Sequence, residues 1–368
     1  MTGRVQVDPQ RAFAEIAEFN RTLAQGLSLL DKTRDRDVQI ATTPKREVFR
    51  QDKTVLYHYE PMAKRAVEVP VLVVYGLIGR YTMADLQEDR SLMRNMLGQG
   101  VDLYVVDWGS PTRTDRWLTL DDYIDGYLHE CILHICREHK LDAIHLLGIC
   151  EGGVFTLCYA ALHPERVISL TLTITPVDFH ADQNTSAPLH HGLINLWARS
   201  LSPEDIDRMI EANGNLPGDL MSFVFSMMTP LSSLTKYSVG LFDVMGDEKK
   251  LLNFLRMEKW LADRPDHPGE AAKQWLKDLY QDNKLVAGKL ELSGRRVDLG
   301  RVRMPVLNIF AQDDHIIPPK SSQALRQHVG TKDYTELPLP GGHVGVFVSG
   351  KSQGILGTGI VKWLKARD

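Results

Sequence analysis

Apolar positions recur at helical spacing through Phe13, Ile16, Leu23, Leu27 and Leu30, which predicts an amphipathic helix near the start of the chain. Its stripe either packs on its own domain or meets a partner or an apolar particle. Residues 69–75 form an almost continuous apolar run closed by Gly76, the pattern of a strand buried on both faces. Two similar runs follow, residues 101–107 and Ile144–Ile149. Between them Leu120, Ile124, Tyr127, Cys131 and Ile135 make a helical stripe behind a Thr119 cap. Strands separated by helices imply a mostly parallel sheet with right-handed crossovers.

A further strand is expected over residues 168–175, ending at Pro176; the pattern then changes until about Arg301. This middle stretch is helical in pattern and rich in large apolar residues, among them Met221, Phe223, Phe225, Met227 and Met228, with Met257 and Trp260 beyond. Methionine is a flexible filler, so the stretch is either an ordinary helical core or an adaptable apolar cap over a site. Strand character returns at residues 304–311 and 334–337, and a helix closes the chain near Lys365. The simplest division is a helix and lead-in over residues 1–65, an α/β core over 66–176 and 301–368, and a helical cap inserted at 177–300.

Composition narrows the function classes. With 368 residues, 43% hydrophobic and 24% charged, the chain is sized for one large core and is neither disordered nor fibrous. A formal net charge of -4 offers no general basic field for nucleic acid. No signal core stands at residues 1–10, and no apolar run approaches the roughly 20 residues a membrane helix needs, so a cytoplasmic location is expected. Four cysteines are too few for a disulfide scaffold and are expected as thiols.

One cysteine stands out by its setting. Gly148-Ile149-Cys150-Glu151-Gly152-Gly153 follows an apolar strand and precedes an apolar helical run over residues 154–162. This is the G-x-nucleophile-x-G elbow, with cysteine in the usual serine place. The turn is sharp enough that neighbours with side chains would clash, hence Gly148 and Gly152. A thiol at a helix N-terminus meets unsatisfied N–H groups and the positive end of the dipole, which favour the thiolate. The N–H of Glu151 should face a developing oxyanion, with a second donor expected at Leu77 or Ile78 after the first core strand. The plainer reading of Cys150 is a small buried thiol in a glycine-rich turn. Cys158, among Phe155, Leu157 and Tyr159, reads as core. Cys131, His134 and Cys136 lack metal-ligand spacing, so no metal site is expected there.

An α/β-hydrolase fold needs nucleophile, acid and base in that chain order. Residues 304–311 run into Gln312-Asp313-Asp314-His315, placing an acid just past a strand end, and Pro340-Gly341-Gly342-His343-Val344-Gly345 puts a histidine in a glycine-rich loop. Histidine must face the thiol with one nitrogen while a carboxylate holds the other. Local physics does not separate Asp313 from Asp314, one of which could cap the following turn. His315, His328 and the pair His190-His191 have no such context.

From about Val69 onward the chain resembles the polyhydroxyalkanoate synthases. The likeness is carried by Val106-Asp107-Trp108-Gly109, Leu120-Asp121-Asp122-Tyr123-Ile124, the Gly-Ile-Cys-Glu-Gly-Gly box, Thr175-Pro176-Val177-Asp178-Phe179, Asp314-His315-Ile316-Ile317-Pro318-Pro319 and Gly341-Gly342-His343-Val344-Gly345. The short chain looks like the class III type, whose catalytic subunit works with a second, non-catalytic subunit. The resemblance selects Asp314 over Asp313 and implies a triad of Cys150, Asp314 and His343. It implies polymerisation of (R)-3-hydroxyacyl-coenzyme A, with 3-hydroxybutyryl the expected acyl group, at the surface of polyester granules. Coenzyme A leaves as product, and no cofactor is implied; a homodimer is one arrangement it admits. A thiol esterase or thioesterase of the same fold, or a non-catalytic granule-binding protein, are the competing readings. One departure stands out: similar class III sequences usually carry glutamine where this chain has Glu151. A carboxylate there should oppose thiolate formation, partly offset by the helix dipole, and shift the pH profile upward.

Overall fold

Eight strands join in one sheet in the computed structural model, which describes residues 8–181, 193–228 and 235–368. In chain order they are β1 (Lys45–Gln51), β2 (Thr54–Tyr59), β3 (Val71–Val74), β4 (Leu103–Asp107), β5 (Ile144–Ile149), β6 (Val167–Thr173), β7 (Val306–Ala311) and β8 (Tyr334–Leu339). Their spatial order is β1-β2-β4-β3-β5-β6-β7-β8. The pairs β1–β2 and β2–β4 are antiparallel and the others parallel. Every residue of β3, β5 and β7 is buried, which is why these strands read as unbroken apolar runs and not as alternations. Because β3, β5, β7 and β8 run the same way, the loops that leave them open at one edge of the sheet, where α/β sheets bind ligands.

The strands expected from apolar runs all form, each within two residues of the anticipated ends. The stripe behind Thr119 forms too: Thr119 Oγ1 accepts from the Asp122 N–H at 3.2 Å, and a π-helical segment, Asp122–Tyr127, continues into the helix Leu128–His139. The lead-in segment holds what was not expected. Residues 45–59 are not connecting chain but the hairpin β1–β2, turning at Asp52, whose φ is +52°. Charged Lys45, Arg46, Glu47 and Arg50 line the outer strand, which guards a free sheet edge.

The chain also divides differently from the expected three parts. One unit comprises Ala41–Val224 with Asp263–Asp368 and carries the sheet. The other comprises Met1–Ile40 with Phe225–Ala262. Inside this second unit the helix Pro9–Lys32 starts at an Asp8 cap, stacks Phe19 on Phe242 with ring centroids 4.5 Å apart, and sets Gly26 against Met245. Lys259 and Asp35 close it with an ion pair of 2.6 Å. Phe13, Ile16 and Leu27 remain exposed on the helix. The middle stretch is therefore shared between the units, Phe225–Ala262 grouping with the N-terminal helix and the stretches before and after it with the sheet. Among the described residues no helix is long and apolar enough to cross a membrane.

Candidate active site

β5 ends at Ile149 and the helix Glu151–Leu162 begins two residues later, leaving Cys150 alone to turn the chain. It does so at φ +53° and ψ -121°, a backbone that L-residues rarely adopt and that persists only where the surroundings impose it. The surroundings are the glycines. A Cβ at Gly148 would strike Thr156 Oγ1, one at Gly152 the Val74 carbonyl oxygen, and one at Gly153 the Thr175 hydroxyl. Cys150 is half-buried, whereas Cys131 and Cys158 are buried and burial pushes their thiols up to about 12. Of these thiols only Cys150 has the strained turn and the helix N-terminus that suit a nucleophile.

The loop after β7 separates the two aspartates that sequence left together. Asp314 is buried and its Oδ2 lies 2.8 Å from His343 Nδ1. Its Oδ1 accepts the N–H groups of Ile316 and Ile317, both at 2.9 Å, so the carboxylate is fully engaged and held in place. Asp313 is exposed and does a different job: its Oδ2 accepts the Gly341 N–H at 3.2 Å, and its own N–H donates to the Gly341 carbonyl at 3.0 Å. Asp313 thus ties down the glycine-rich loop, where Gly341 has φ +91°, and Asp314 orients the histidine that the loop carries.

His343 also lies near enough to Cys150 that the charge of the sulfur acts on its imidazole. With Nδ1 occupied by Asp314, Nε2 is the nitrogen left to face the thiol. Burial works against a charge on this imidazole, but Asp314 and Cys150 outweigh it and push its pKa up to about 10. The structure therefore brings Cys150, His343 and Asp314 into one array at the sheet edge, with Asp314 hydrogen-bonded to His343 and the imidazole electrostatically coupled to the sulfur. Tyr75 and Tyr280 lie close enough that the charge of Cys150 adds to burial in raising both phenols, so they stand as neutral walls beside the thiol. Tyr280 is itself fixed by edge contacts to Trp275 and Phe179 at 5.8 and 4.8 Å between ring centroids. His190-His191 lie outside the described residues. Among the described residues no cluster of His, Cys, Asp and Glu side chains could hold a metal ion.

The oxyanion donors differ from expectation. The N–H groups of Leu77 and Ile78 do not stand open beside the thiol; both donate to Glu151 Oε2, at 2.6 and 3.0 Å. Glu151 is buried, and its Oε1 meets His267 Nε2 at 2.8 Å. Its carboxylate is thus turned onto three donors. Gly76 permits this, since a Cβ there would overlap the Glu151 side chain. His267, itself buried, is a participant that sequence reasoning missed. Its pattern Asp266-His267-Pro268-Gly269 reads as a turn, and nothing local signals a partner more than a hundred residues away.

The sheet order, the elbow and the loop positions define an α/β-hydrolase-fold protein, and residues 69–349 match the family model described as alpha/beta hydrolase fold. Residues 26–96 match the model described as the Poly-beta-hydroxybutyrate polymerase (PhaC) N-terminus. The chain belongs to the poly(3-hydroxyalkanoate) polymerase family. It is 44% identical to a Poly(3-hydroxyalkanoate) polymerase subunit PhaC from Synechocystis sp., over 99% of this chain and 95% of the relative. A protein of the same name from Allochromatium vinosum is 42% identical over 99% of both chains. Among solved structures, a soluble variant of monoglyceride lipase from Saccharomyces cerevisiae aligns at TM-score 0.54 and 14% identity, covering 89% of this chain and 97% of that one. A carboxylesterase from Nitrososphaera gargenis aligns at 0.51 and 14%, covering 88% and 100%. These two share the fold.

Proposed function

We propose that the chain is the catalytic subunit of a polyester synthase, moving (R)-3-hydroxyacyl groups from coenzyme A onto Cys150 and from there onto the hydroxyl of a growing chain. The observation that carries this reading is the buried, hydrogen-bonded Asp314–His343 pair whose imidazole is acted on by a cysteine, not a serine, at the elbow. The names of the relatives support the substrate class, and the word subunit in those names supports a second, non-catalytic partner.

In the first half-reaction His343 takes the proton of Cys150, and the thiolate attacks the thioester carbonyl. The tetrahedral intermediate expels the coenzyme A thiolate, which recovers that proton from His343. One thioester replaces another, so loading is close to balanced and the acyl group stays activated. In the second half-reaction neutral His343 accepts the proton of a hydroxyl as its oxygen attacks the acyl-cysteine. An oxygen ester forms, the Cys150 thiolate leaves, and this step runs downhill. A serine would already hold the acyl group as an oxygen ester, and most of that drive would be lost. Asp314 fixes the imidazole tautomer through both steps. No metal or cofactor is required, since coenzyme A enters as part of the substrate. Tyr75 and Tyr280 are the groups we assign to keeping water from the acyl-cysteine. The exposed Phe13, Ile16 and Leu27 of the N-terminal helix support docking at a second subunit or at the granule surface.

The test is incubation with (R)-3-hydroxybutyryl-coenzyme A, with and without the partner subunit. Free thiol and insoluble polyester should appear together and vanish in Cys150→Ala. Free hydroxybutyrate without polymer would make the chain a thioesterase.

A further inference from the structure

Residues 263–267 come from the middle stretch, yet they touch the surroundings of Cys150 through three side chains. Asp263 Oδ1 accepts from Arg80 Nε at 2.7 Å, Arg264 Nη1 donates to the Ile78 carbonyl at 3.2 Å, and His267 Nε2 meets Glu151 Oε1 at 2.8 Å. Ile78 is therefore held on both sides, its carbonyl by Arg264 and its N–H by Glu151. The Trp108 indole N–H holds the start of the same loop through the Tyr75 carbonyl at 2.8 Å. Glu151 is the residue directly after the nucleophile, so one carboxylate joins the elbow, the loop after β3 and the inserted segment.

Such a joint is expensive as mere glue. Glu151 and His267 are both buried to about 1% exposure, and burying ionisable groups is repaid only when their hydrogen bonds are satisfied. Apolar packing would tie the segments as well. What packing cannot do is aim two backbone N–H groups, and aimed donors are what a developing oxyanion needs.

We propose that Glu151 and His267 are positioning residues for the oxyanion hole. His267 holds the carboxylate, and the carboxylate sets the direction of the Leu77 and Ile78 amides. The Leu77 N–H, buried and at the shorter distance, is the anchor. The Ile78 N–H, half-buried and longer, keeps its direction from Glu151 and is shared with the thioester oxygen as charge develops, acting there with the N–H of Glu151 itself. The reaction named above supplies the acyl donor on which this rests, although the device would serve any acyl transfer through Cys150.

Steady-state kinetics of the full chain tests it, following thiol release from (R)-3-hydroxybutyryl-coenzyme A and, in parallel, single-turnover acylation by a chromogenic thioester. Glu151→Ala should lower kcat by about 10- to 100-fold with KM changed less than about 3-fold. Glu151→Gln should stay within about 3-fold of wild type, because its carbonyl accepts both amides and its NH2 donates to His267. Unchanged kcat in Glu151→Ala, a loss in KM alone, or equal loss in both variants would overturn the proposal. If Glu151→Ala does not fold, His267→Ala and His267→Gln carry the same comparison: about 10-fold loss for alanine and rescue by glutamine, which can still donate to Glu151, with equal values overturning it. Should wild type release no coenzyme A while Glu151→Ala still shows its deficit on the chromogenic thioester, the polymerase reading falls and the positioning role stands.

Discussion

The behaviour of the site is set by which group each carboxylate faces. Asp314 and the Cys150 sulfur both act on His343, and the imidazole of the free enzyme accordingly holds its proton to about pH 10, a hold that acylation of Cys150 weakens. A histidine raised above its ordinary value near 6.5 gives stability that is fully present below that value and is lost as pH climbs through about 10. Asp314→Asn removes an attraction that raises it, so the His343 titration, followed by NMR of labelled imidazole, should move toward lower pH; a wild-type His343 titrating near 6.5 would contradict the array. Glu151 faces away from this chemistry. The like-charge opposition to the thiolate expected from sequence presumed a carboxylate turned to the sulfur, whereas this one is spent on Leu77, Ile78 and His267. Glu151→Gln should therefore leave the pH dependence of thiol alkylation at Cys150 in place, and a downward shift of a unit would restore the original expectation.

At the level of elements, the elbow works because a strand, a turn and a helix approach more closely than side chains allow. Gly152 abuts the Val74 carbonyl, and backbone cannot step aside as a flexible side chain can. Gly152→Ala should cost about 3 kcal/mol of stability, read as a fall in the urea midpoint, and a variant as stable as wild type would show that β3 and the elbow are looser than described. The elbow was legible because its glycines, flanking strand and following helix are all local. Buried strands were legible for the same reason: β3, β5 and β7 are apolar on both faces. The β1–β2 hairpin was not read, since its outer strand is charged and half-exposed and its turn at Asp52 lacks the usual glycine. Asp313 and Asp314 could not be told apart until the loop fixed one outward and one inward. His267 was illegible outright, because its meaning lies wholly in a tertiary contact.

For the whole molecule, the sequence order nucleophile, acid, histidine becomes a spatial array only through the sheet order, which brings the ends of β5, β7 and β8 to one edge. The inserted stretch was recognisable as helical but not as divided, since helical patterning does not say which helices pack on which. The candidate site residues Cys150, Asp314, His343, Glu151 and His267 all belong to the sheet-bearing unit. The central claim is that Cys150 carries the acyl group, and mass spectrometry of the protein quenched in acid after mixing with (R)-3-hydroxybutyryl-coenzyme A tests it most directly. The account predicts a peptide containing Cys150 heavier by one or more hydroxybutyryl units and absent in Cys150→Ala; polymer formed with no adduct at Cys150, or formed by Cys150→Ala, would contradict it.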